Sequence, residues 1–455
     1  MTPPKSVAGR VRQRLAQLPT SLTARNAASN FLALVWLSGL SLVTVPLYIR
    51  QLGAAEWGLV AACTSLQIVL NFFDAGFSQI VPRWAAREAH QPARLAAYLR
   101  LLRRVYVGLG LLVFLLIQAA AAALAQQWFQ VPADRAPALE WAIRIFAFQL
   151  FFQFVNNLHI GLWHGLQQQV LANRRVCGFG SLKHGLALTL VLCVAPHAWL
   201  YTLAFASVAL LELLCNAWTV QRHFGAGNPK APAAAGMADD GARPQTIPLR
   251  PLLREVATLS GGILVGLLVS QLDRILLSRS VSLQAFGTYT VVASLAMAFL
   301  QLQTPITRAY FPLLVQDIQR TGWVSGARLR RMLLGTVLVS TLPALLACAL
   351  ASHLLTLWLH VPEMVRVGTL PLQMLLVAVA LNTLYGCIYQ VMVAKGEARR
   401  VLQFNLVALG VAGLACATLG LDAGLVLGGT IWLSNSMTQL VLGSLWLLKN
   451  RPPGA

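Results

Sequence analysis

Long apolar segments recur along the whole chain and are separated by short polar ones. Each is about 20 residues long, the length a helix needs to cross the hydrocarbon core of a bilayer. The stretch from Val105 to Ala125 carries no charge at all. The pattern predicts an all-α polytopic membrane protein with twelve spans, at Ala27–Ile49, Trp57–Val81, Val105–Gln127, Leu139–Leu162, Val176–Ala195, Trp199–Val220, Val256–Leu277, Phe286–Phe311, Met332–Leu354, Val367–Val393, Val401–Leu419 and Leu425–Leu448.

The composition agrees with a membrane protein and narrows its chemistry. The chain has 455 residues, of which 57% are hydrophobic and 11% charged, whereas a soluble domain is about 25% charged. The seven cysteines lie in apolar segments without a CxxC pair, so we expect them to pack in helices and expect neither a metal site nor a cofactor. The net charge of +21 follows the topology and does not indicate nucleic-acid binding.

Basic residues predict the orientation of the spans. Cytoplasmic loops of membrane proteins are enriched in Lys and Arg. If both termini are cytoplasmic, the only basic residues in the predicted outside loops are Arg50, Arg135, Arg279 and Arg366. We therefore expect an N-in, C-in topology. The arginines between Arg83 and Arg104 then mark a cytoplasmic loop, expected to form a surface helix.

The spans divide into two predicted lobes of six. The longest polar segment, His223 to Arg254, is rich in Pro, Gly and Ala, as flexible linkers are. The predicted organisation is a basic cytoplasmic N-terminal segment, an N-terminal lobe, a cytoplasmic linker, a C-terminal lobe and a cytoplasmic tail, at residues 1–26, 27–221, 222–254, 255–448 and 449–455. Part of the N-terminal segment is expected to form a short interfacial helix.

The two lobes also resemble each other in sequence. The stretch LGAAEWGLVAACTSLQIVLNFFDAGFSQIVPRWA in the first half is similar to VSLQAFGTYTVVASLAMAFLQLQTPITRAYFPLL in the second. Trp57-Gly58 aligns with Phe286-Gly287 without gaps. Because each half holds an even number of spans, the repeats are predicted to run parallel. Paired lobes of this kind usually place a substrate site between them.

Polar side chains inside the second predicted span lie on one helical stripe. Gln67, Asn71, Asp74 and Ser78 are spaced by four, three and four residues, which puts them on one face. Ionisable residues inside a membrane are costly and are functional candidates. Asp74 is predicted to act as an inner-gate or coupling carboxylate. The alternative is that these groups only form hydrogen bonds between helices and that Asp74 fixes the second helix in place.

Other spans contribute further candidates. Cationic and hydrogen-bonding side chains suit a large polar ligand with a negative group. The candidates for binding it in a cavity are Lys183, Arg274, Arg308, Gln153, Asn156, Gln301, Asn382 and Tyr385, and the candidates for coupling or gating are Asp74, His159, Glu212 and Asp273. Lys183 and Glu212 could instead form a structural ion pair, because unpaired charges at that depth are costly.

Several of these residues carry a resemblance to a known family. The segment from Gly53 to Arg83 resembles the second-helix signature of bacterial polysaccharide flippases, with its Gly/Glu/aromatic-Gly start, Asp-x-Gly and following Arg. SQLDRILLSRSVSLQAFGTYTVVASL resembles that family's seventh and eighth helices, with Asp273 in the acidic position, and Pro312 matches a proline that often ends helix eight. The chain thus looks like a Wzx-type O-antigen flippase, in the polysaccharide transporter branch of the multidrug/oligosaccharidyl-lipid/polysaccharide (MOP) exporter superfamily.

The resemblance implies a fold, a function and a location. It implies two bundles that form a V around a central cavity, in a multi-pass protein of the bacterial inner membrane. It implies that undecaprenyl-diphosphate-linked repeat units move from the cytoplasmic to the periplasmic leaflet by alternating access, coupled to H⁺ or Na⁺. The implied partners are this lipid-linked glycan and membrane lipids, with a polysaccharide polymerase and a chain-length regulator as candidates, and no nucleic acid.

Three other functions compete with this prediction. A lipid II flippase or a drug or cation antiporter would share the fold, but a cavity for organic cations should be acidic, whereas here the acids are matched by Lys183, Arg274 and Arg308. A membrane-embedded polysaccharide polymerase or ligase would need an external catalytic surface, and the predicted outside loops are short. A scaffold without transport would not need polar stripes. We therefore expect a transporter and not an enzyme.

Overall fold

The computed structural model describes residues 22–74, 77–89, 91–224 and 266–450. The expected interfacial helix and most of the linker fall outside these ranges, as does Gly76. The described chain is almost wholly helical, with one isolated bridge between Gln130 and Ser282. We number its helices α1 (Leu22–Ser65), α2 (Gln67–Asp74), α3 (Phe77–Arg87), α4 (Pro92–Ala123), α5 (Ala136–Gly165), α6 (Gln169–Cys193), α7 (Ala198–Phe224), α8 (residues 266–280), α9 (Leu283–Gln301), α10 (Thr304–Thr321), α11 (Gly326–Thr336), α12 (Leu342–Ala349), α13 (Ala351–Leu359), α14 (Pro362–Ala394), α15 (Ala398–Leu419) and α16 (Val426–Asn450).

The described residues have the all-α membrane architecture that the sequence predicts. The described residues contain nine helical segments that are long and apolar enough to cross a membrane. The first of them, Ala28–Asp74, covers one predicted span and most of the next. The seventh predicted span is described only from residue 266 onward. The count of twelve and the N-in, C-in orientation therefore stay predictions.

The second predicted span is not one continuous helix. The chain bends within α1 at Gly53, whose φ of 76° suits glycine. The Thr64 hydroxyl then donates to the Ala61 carbonyl at 3.0 Å, and Ser65 donates to Ala62 at 2.7 Å. Both hydroxyl bonds lie in the last turn of α1, which ends at Ser65. The span therefore comprises the end of α1, α2 and the beginning of α3.

The arginine-rich loop does not form the separate surface helix that the sequence predicts. Helix α3 ends at Arg87, and α4 begins at Pro92 and continues directly across the predicted membrane. The turn between them is held by Glu88, which is 2% exposed and pairs with Arg87 at 2.9 Å and Arg94 at 3.4 Å. The arginines from residue 100 onward therefore lie on the first turns of a long transmembrane helix.

The hydrophobic core joins the two halves of the chain at one end only. One cluster links the N-terminal half to the part of the C-terminal half near the predicted outside, where Phe129 lies 6.5 Å from Phe286 between ring centroids. Near the predicted inside, the C-terminal half has a cluster of its own, built around Trp323, Met332 and Trp446. The described core thus leaves the halves separate at the predicted cytoplasmic end.

Candidate functional site

Hydrogen bonds close the boundary between the two halves at the predicted outer end. The Trp128 indole donates to the Ser278 hydroxyl at 3.0 Å, and the Gln130 amide donates to the Arg279 carbonyl at 3.2 Å. The Leu283 backbone N–H donates to the Gln130 carbonyl at 3.3 Å. We call this set of contacts the outer seam. It joins the loop after α4 to the turn between α8 and α9.

Two glycines allow α1 and α9 to cross in close contact beside the outer seam. A Cβ built on Gly58 would lie 2.7 Å from the carbonyl oxygen of Leu283, and one on Gly287 would lie 3.1 Å from the Cα of Gly58. Small residues permit such backbone approach. These are the two glycines that the internal repeat aligns, so the crossing lies where an axis relating the repeats would pass.

Below the outer seam, two cavities lined by described residues lie between the halves. One, of about 350 Å³, is lined by α1 from Leu34 to Val45 and by Ser294, Met297 and Gln301 of α9. The other, of about 200 Å³, is lined by Ser65, Leu66, Ile68 and Val69, by the segment that follows α4 from Leu124 to Phe129, and by α8. No Asp or Glu is among the residues lining either cavity. Arg274 lines both.

Arg274 places a positive charge in this interlobe space, and that charge also acts electrostatically on the neighbouring Asp273. It is half-buried, and among the described residues it makes neither a side-chain hydrogen bond nor an ion pair. Its position, four residues before Ser278, places it about 6 Å from the outer seam along the helix axis. The arginine therefore lies at the closed end of the space between the halves, where a negative group could reach it.

The neighbouring carboxylate faces the other way, into the C-terminal half. Asp273 is 2% exposed and accepts hydrogen bonds from the Tyr289 hydroxyl at 2.5 Å and the Trp432 indole at 3.1 Å. Trp432 also lines a polar cavity of about 150 Å³ together with Asn382 and Asn435. Successive residues of a helix point about 100° apart, so α8 presents its cation to the interlobe space and its anion to the interior of the bundle.

Asp74 is held by two helices of the N-terminal half. It ends α2, and its carboxylate accepts hydrogen bonds from the Tyr106 hydroxyl at 3.3 Å and the Asn157 amide at 3.0 Å. Asp74 is half-buried, whereas Tyr106 is 1% exposed and packs on Phe154 with 5.0 Å between ring centroids. The carboxylate is thus linked to α4 and α5.

Asn157 is not among the candidates that the sequence predicts, although its neighbour Asn156 is. In the structure, Asn156 accepts a hydrogen bond from Asn216 of α7 at 2.8 Å. A single amide outside a polar stripe gives no periodic signal, and only the fold brings Asn157 to Asp74.

Lys183 and Glu212 form the ion pair that the sequence left open. The Lys183 ammonium lies 2.9 Å from a Glu212 carboxylate oxygen, between α6 and α7. The neighbouring His184 lies within hydrogen-bond distance of Thr44 and Tyr48, at 3.1 and 3.2 Å. Lys183 and His184 therefore tie helices of the N-terminal half together, and neither lines the two interlobe cavities.

The remaining candidates are spread over the molecule. Gln301 and Arg274 share one interlobe cavity, whereas Asn382 lines the polar cavity inside the C-terminal half. Tyr385 is 5% exposed and packs against Gly443, and Gln153 is half-buried on α5. The side chain of Arg308 lies outside what the structure describes. Within the described residues, no three His, Cys, Asp or Glu side chains cluster as a metal site would require.

Comparison with known families and structures adds an independent observation. The sequence profile of a family described as polysaccharide biosynthesis protein matches residues 23–317. The comparison with curated proteins gave no match.

Solved structures share the fold over nearly the whole chain. The structure titled lipid II flippase MurJ, inward closed conformation, is 10% identical, with a TM-score of 0.68 over 93% of this chain and 86% of that one. A structure of the MATE multidrug transporter DinF-BH is 14% identical, with a TM-score of 0.63 over 95% and 96%. The Vibrio cholerae MATE transporter VcmN in the bent form is 14% identical, with a TM-score of 0.58 over 94% and 98%. At sequence identities of 10–14%, the similarity to these structures shows a shared fold.

Proposed function

Because this chain belongs to the family of polysaccharide biosynthesis proteins and has the fold of MOP flippases and exporters, we propose that it is a lipid-linked oligosaccharide flippase. It moves undecaprenyl-diphosphate-linked repeat units of a polysaccharide from the cytoplasmic to the periplasmic leaflet of the bacterial inner membrane. Transport proceeds by alternating access, coupled to H⁺ or Na⁺.

The observation that carries this proposal is the guanidinium of Arg274, which forms no ion pair among the described residues and lies in a space without lining acids. A guanidinium binds phosphate oxygens through a fork of N–H donors. The outer seam closes the space at one end, and the core leaves the halves separate at the other. A diphosphate entering from the cytoplasmic side would therefore meet its strongest attractor at the closed end.

The same electrostatics disfavour export of organic cations as the function. A cationic drug would be repelled by Arg274 and would find no carboxylate among the lining residues. The carboxylates of Asp74 and Asp273 are instead held by hydrogen bonds inside the two halves. In our proposal these two carboxylates serve the coupling ion, and Gln301 offers its amide to the glycan or diphosphate.

The test is to remove the charge of Arg274 and keep a polar side chain. Arg274→Gln should lower surface glycan by at least about tenfold, because it removes a charge-assisted interaction worth about 1.5–3 kcal/mol. Arg274→Lys should restore part of the export. The lipid-linked intermediate should accumulate in the inner membrane, and levels of the protein should hold.

Arg144→Gln is the matched control. Arg144 is also an arginine within a predicted span, but it already pairs with Glu140 at 2.7 Å and lines neither interlobe cavity. It should leave glycan export near normal. Normal export by Arg274→Gln, at normal protein levels, would overturn the assignment of Arg274 as the attractor of the diphosphate.

A further inference from the structure

A second cationic cavity lies within the N-terminal half, apart from the interlobe space. It measures about 420 Å³ and is formed by α4, α5 and α7. It shares no lining residue with the two interlobe cavities. Its polar lining consists of Arg100, Arg103, His159 and Gln221, and the rest is apolar. We call it the α4–α7 groove.

The groove changes from polar to apolar along the membrane normal. Arg100 lies near the beginning of α4, and Gln221 lies near the end of the antiparallel α7. Both belong to the predicted cytoplasmic end. Val107, seven residues beyond Arg100, lines the groove about 10 Å deeper, and Leu213 accompanies it. Lipids show the same order, with a polar headgroup above an acyl chain.

The positive charge of the groove has no partner in the described protein. Arg100 and Arg103 are exposed, and among the described residues neither forms an ion pair or a side-chain hydrogen bond. No acidic residue lines the groove. Arg87 and Arg94, which precede them by a few residues, share the buried carboxylate of Glu88 instead. The cationic end of the groove is therefore complementary to an anion.

His159 adds an independent sign of a missing partner. It is 5% exposed and lines the groove, and its Nδ1 has no hydrogen-bond partner among the described residues. Buried polar groups almost always have a hydrogen-bond partner, because a buried group without one costs about 1–3 kcal/mol. His159 is therefore a buried polar side chain at the wall of the groove that the described protein leaves without a partner.

We propose that the α4–α7 groove binds a membrane phospholipid with an anionic headgroup. The headgroup phosphate lies between Arg100 and Arg103, a headgroup oxygen meets His159, and an acyl chain follows Val107 and Leu213. The apolar depth of the groove favours a lipid over free phosphate. Its separation from the interlobe space favours a bilayer phospholipid over the transported lipid-linked glycan.

The experiment measures lipids retained by the purified full-length protein, using native mass spectrometry with phosphatidylglycerol and phosphatidylcholine as probes. The wild type should retain phosphatidylglycerol in preference to phosphatidylcholine. The double variant Arg100→Gln/Arg103→Gln should lose at least about tenfold in phosphatidylglycerol affinity, since each arginine near a membrane surface contributes several-fold to anionic lipid binding. Ala217→Phe, which fills the apolar part of the groove, should weaken binding without removing a charge.

Arg104→Gln is the matched control, because Arg104 neighbours Arg103 on the same helix and is exposed, yet does not line the groove. It should bind phosphatidylglycerol like the wild type. Inorganic phosphate and undecaprenyl phosphate serve as competitors, and neither should displace phosphatidylglycerol at equal concentration. Equal binding by the double variant and the Arg104 control, no preference over phosphatidylcholine, or displacement by either competitor would overturn the proposal.

Discussion

Gly58 and Gly287 are in backbone contact, with a Cβ on Gly287 reaching within 3.1 Å of the Cα of Gly58. The contact joins α1 to α9 beside the outer seam. In an alternating-access transporter the lobes must separate here when the other end closes. The geometry around these glycines therefore decides how stable the closed outer end is.

Gly58→Ala should weaken the closed outer end. Its Cβ would meet the Leu283 carbonyl oxygen at 2.7 Å, and such overpacking costs about 1–3 kcal/mol. The closure can be measured by disulfide cross-linking of Gln130→Cys with Ser282→Cys, after the native cysteines are replaced by alanine and a protease site is inserted in the linker. We expect the cross-linking rate to fall by about tenfold.

Gly39→Ala is the control for this prediction. Gly39 lies on the same helix, and nothing lies within 4 Å of the Cβ it would gain. Alanine is the better helix former by about 1 kcal/mol, so this variant should cross-link like the parent. Equal rates for the two alanine variants would show that the glycine crossing does not control the outer seam.

Asp74→Asn separates a coupling role from a structural one. Asparagine keeps the shape and can still hydrogen-bond with Tyr106 and Asn157, because a hydroxyl and an amide can each donate or accept, but it cannot ionise. If Asp74 carries the coupling ion, the variant should fold normally and lose most glycan export. The measurement is surface glycan normalised to protein in the membrane.

Tyr106→Phe provides the comparison for Asp74. It removes one 3.3 Å hydrogen bond to the carboxylate and keeps the charge, which should cost about 1 kcal/mol in stability and leave export largely intact. If Asp74→Asn exports normally, the carboxylate only links α2 to α4 and α5.

The Lys183–Glu212 pair is expected to act as a structural unit. Lys183→Met leaves a carboxylate of low exposure without its cation, and loss of one partner of a buried pair costs about 3–5 kcal/mol. The thermal unfolding temperature in detergent should therefore fall. The double variant Lys183→Met/Glu212→Leu should recover most of the stability, because it removes both charges.

Glycan export by the same variants decides whether Lys183 also binds substrate. Export should recover with stability in the double variant if the pair is structural. A stable double variant without export would indicate that Lys183 also binds substrate. That result would conflict with its position away from the interlobe cavities.

Reporter fusions test the topology. Fusions after Arg103 and within 225–243 should report a cytoplasmic location, because the predicted inside segments together hold most of the Lys and Arg outside the spans. Fusions near Ala133 and Pro362 should report a periplasmic location. A periplasmic signal from the central segment would contradict the arrangement of six spans on each side of it.

The sequence by itself determined the class of the protein and much of its local structure. Helical membrane spans follow from the cost of burying polar groups in hydrocarbon, a property that can be summed over about 20 consecutive residues. The sequence also predicts a repeat that aligns Gly58 with Gly287, and the structure brings these two glycines into contact. The break at Ser65 leaves no periodic trace in the sequence and is known only from the structure.

Only the tertiary structure decided what each intramembrane polar group faces. Asp273 and Arg274 are adjacent in sequence, yet one is bonded inside the C-terminal half and the other is unpaired among the described residues of the interlobe space. Lys183 meets Glu212, and Asp74 meets Asn157, across helices that lie far apart along the chain. Such partners depend on how helices pack and rotate against one another. Local hydrophobicity and periodicity specify that a helix forms but not which neighbour its polar face will meet.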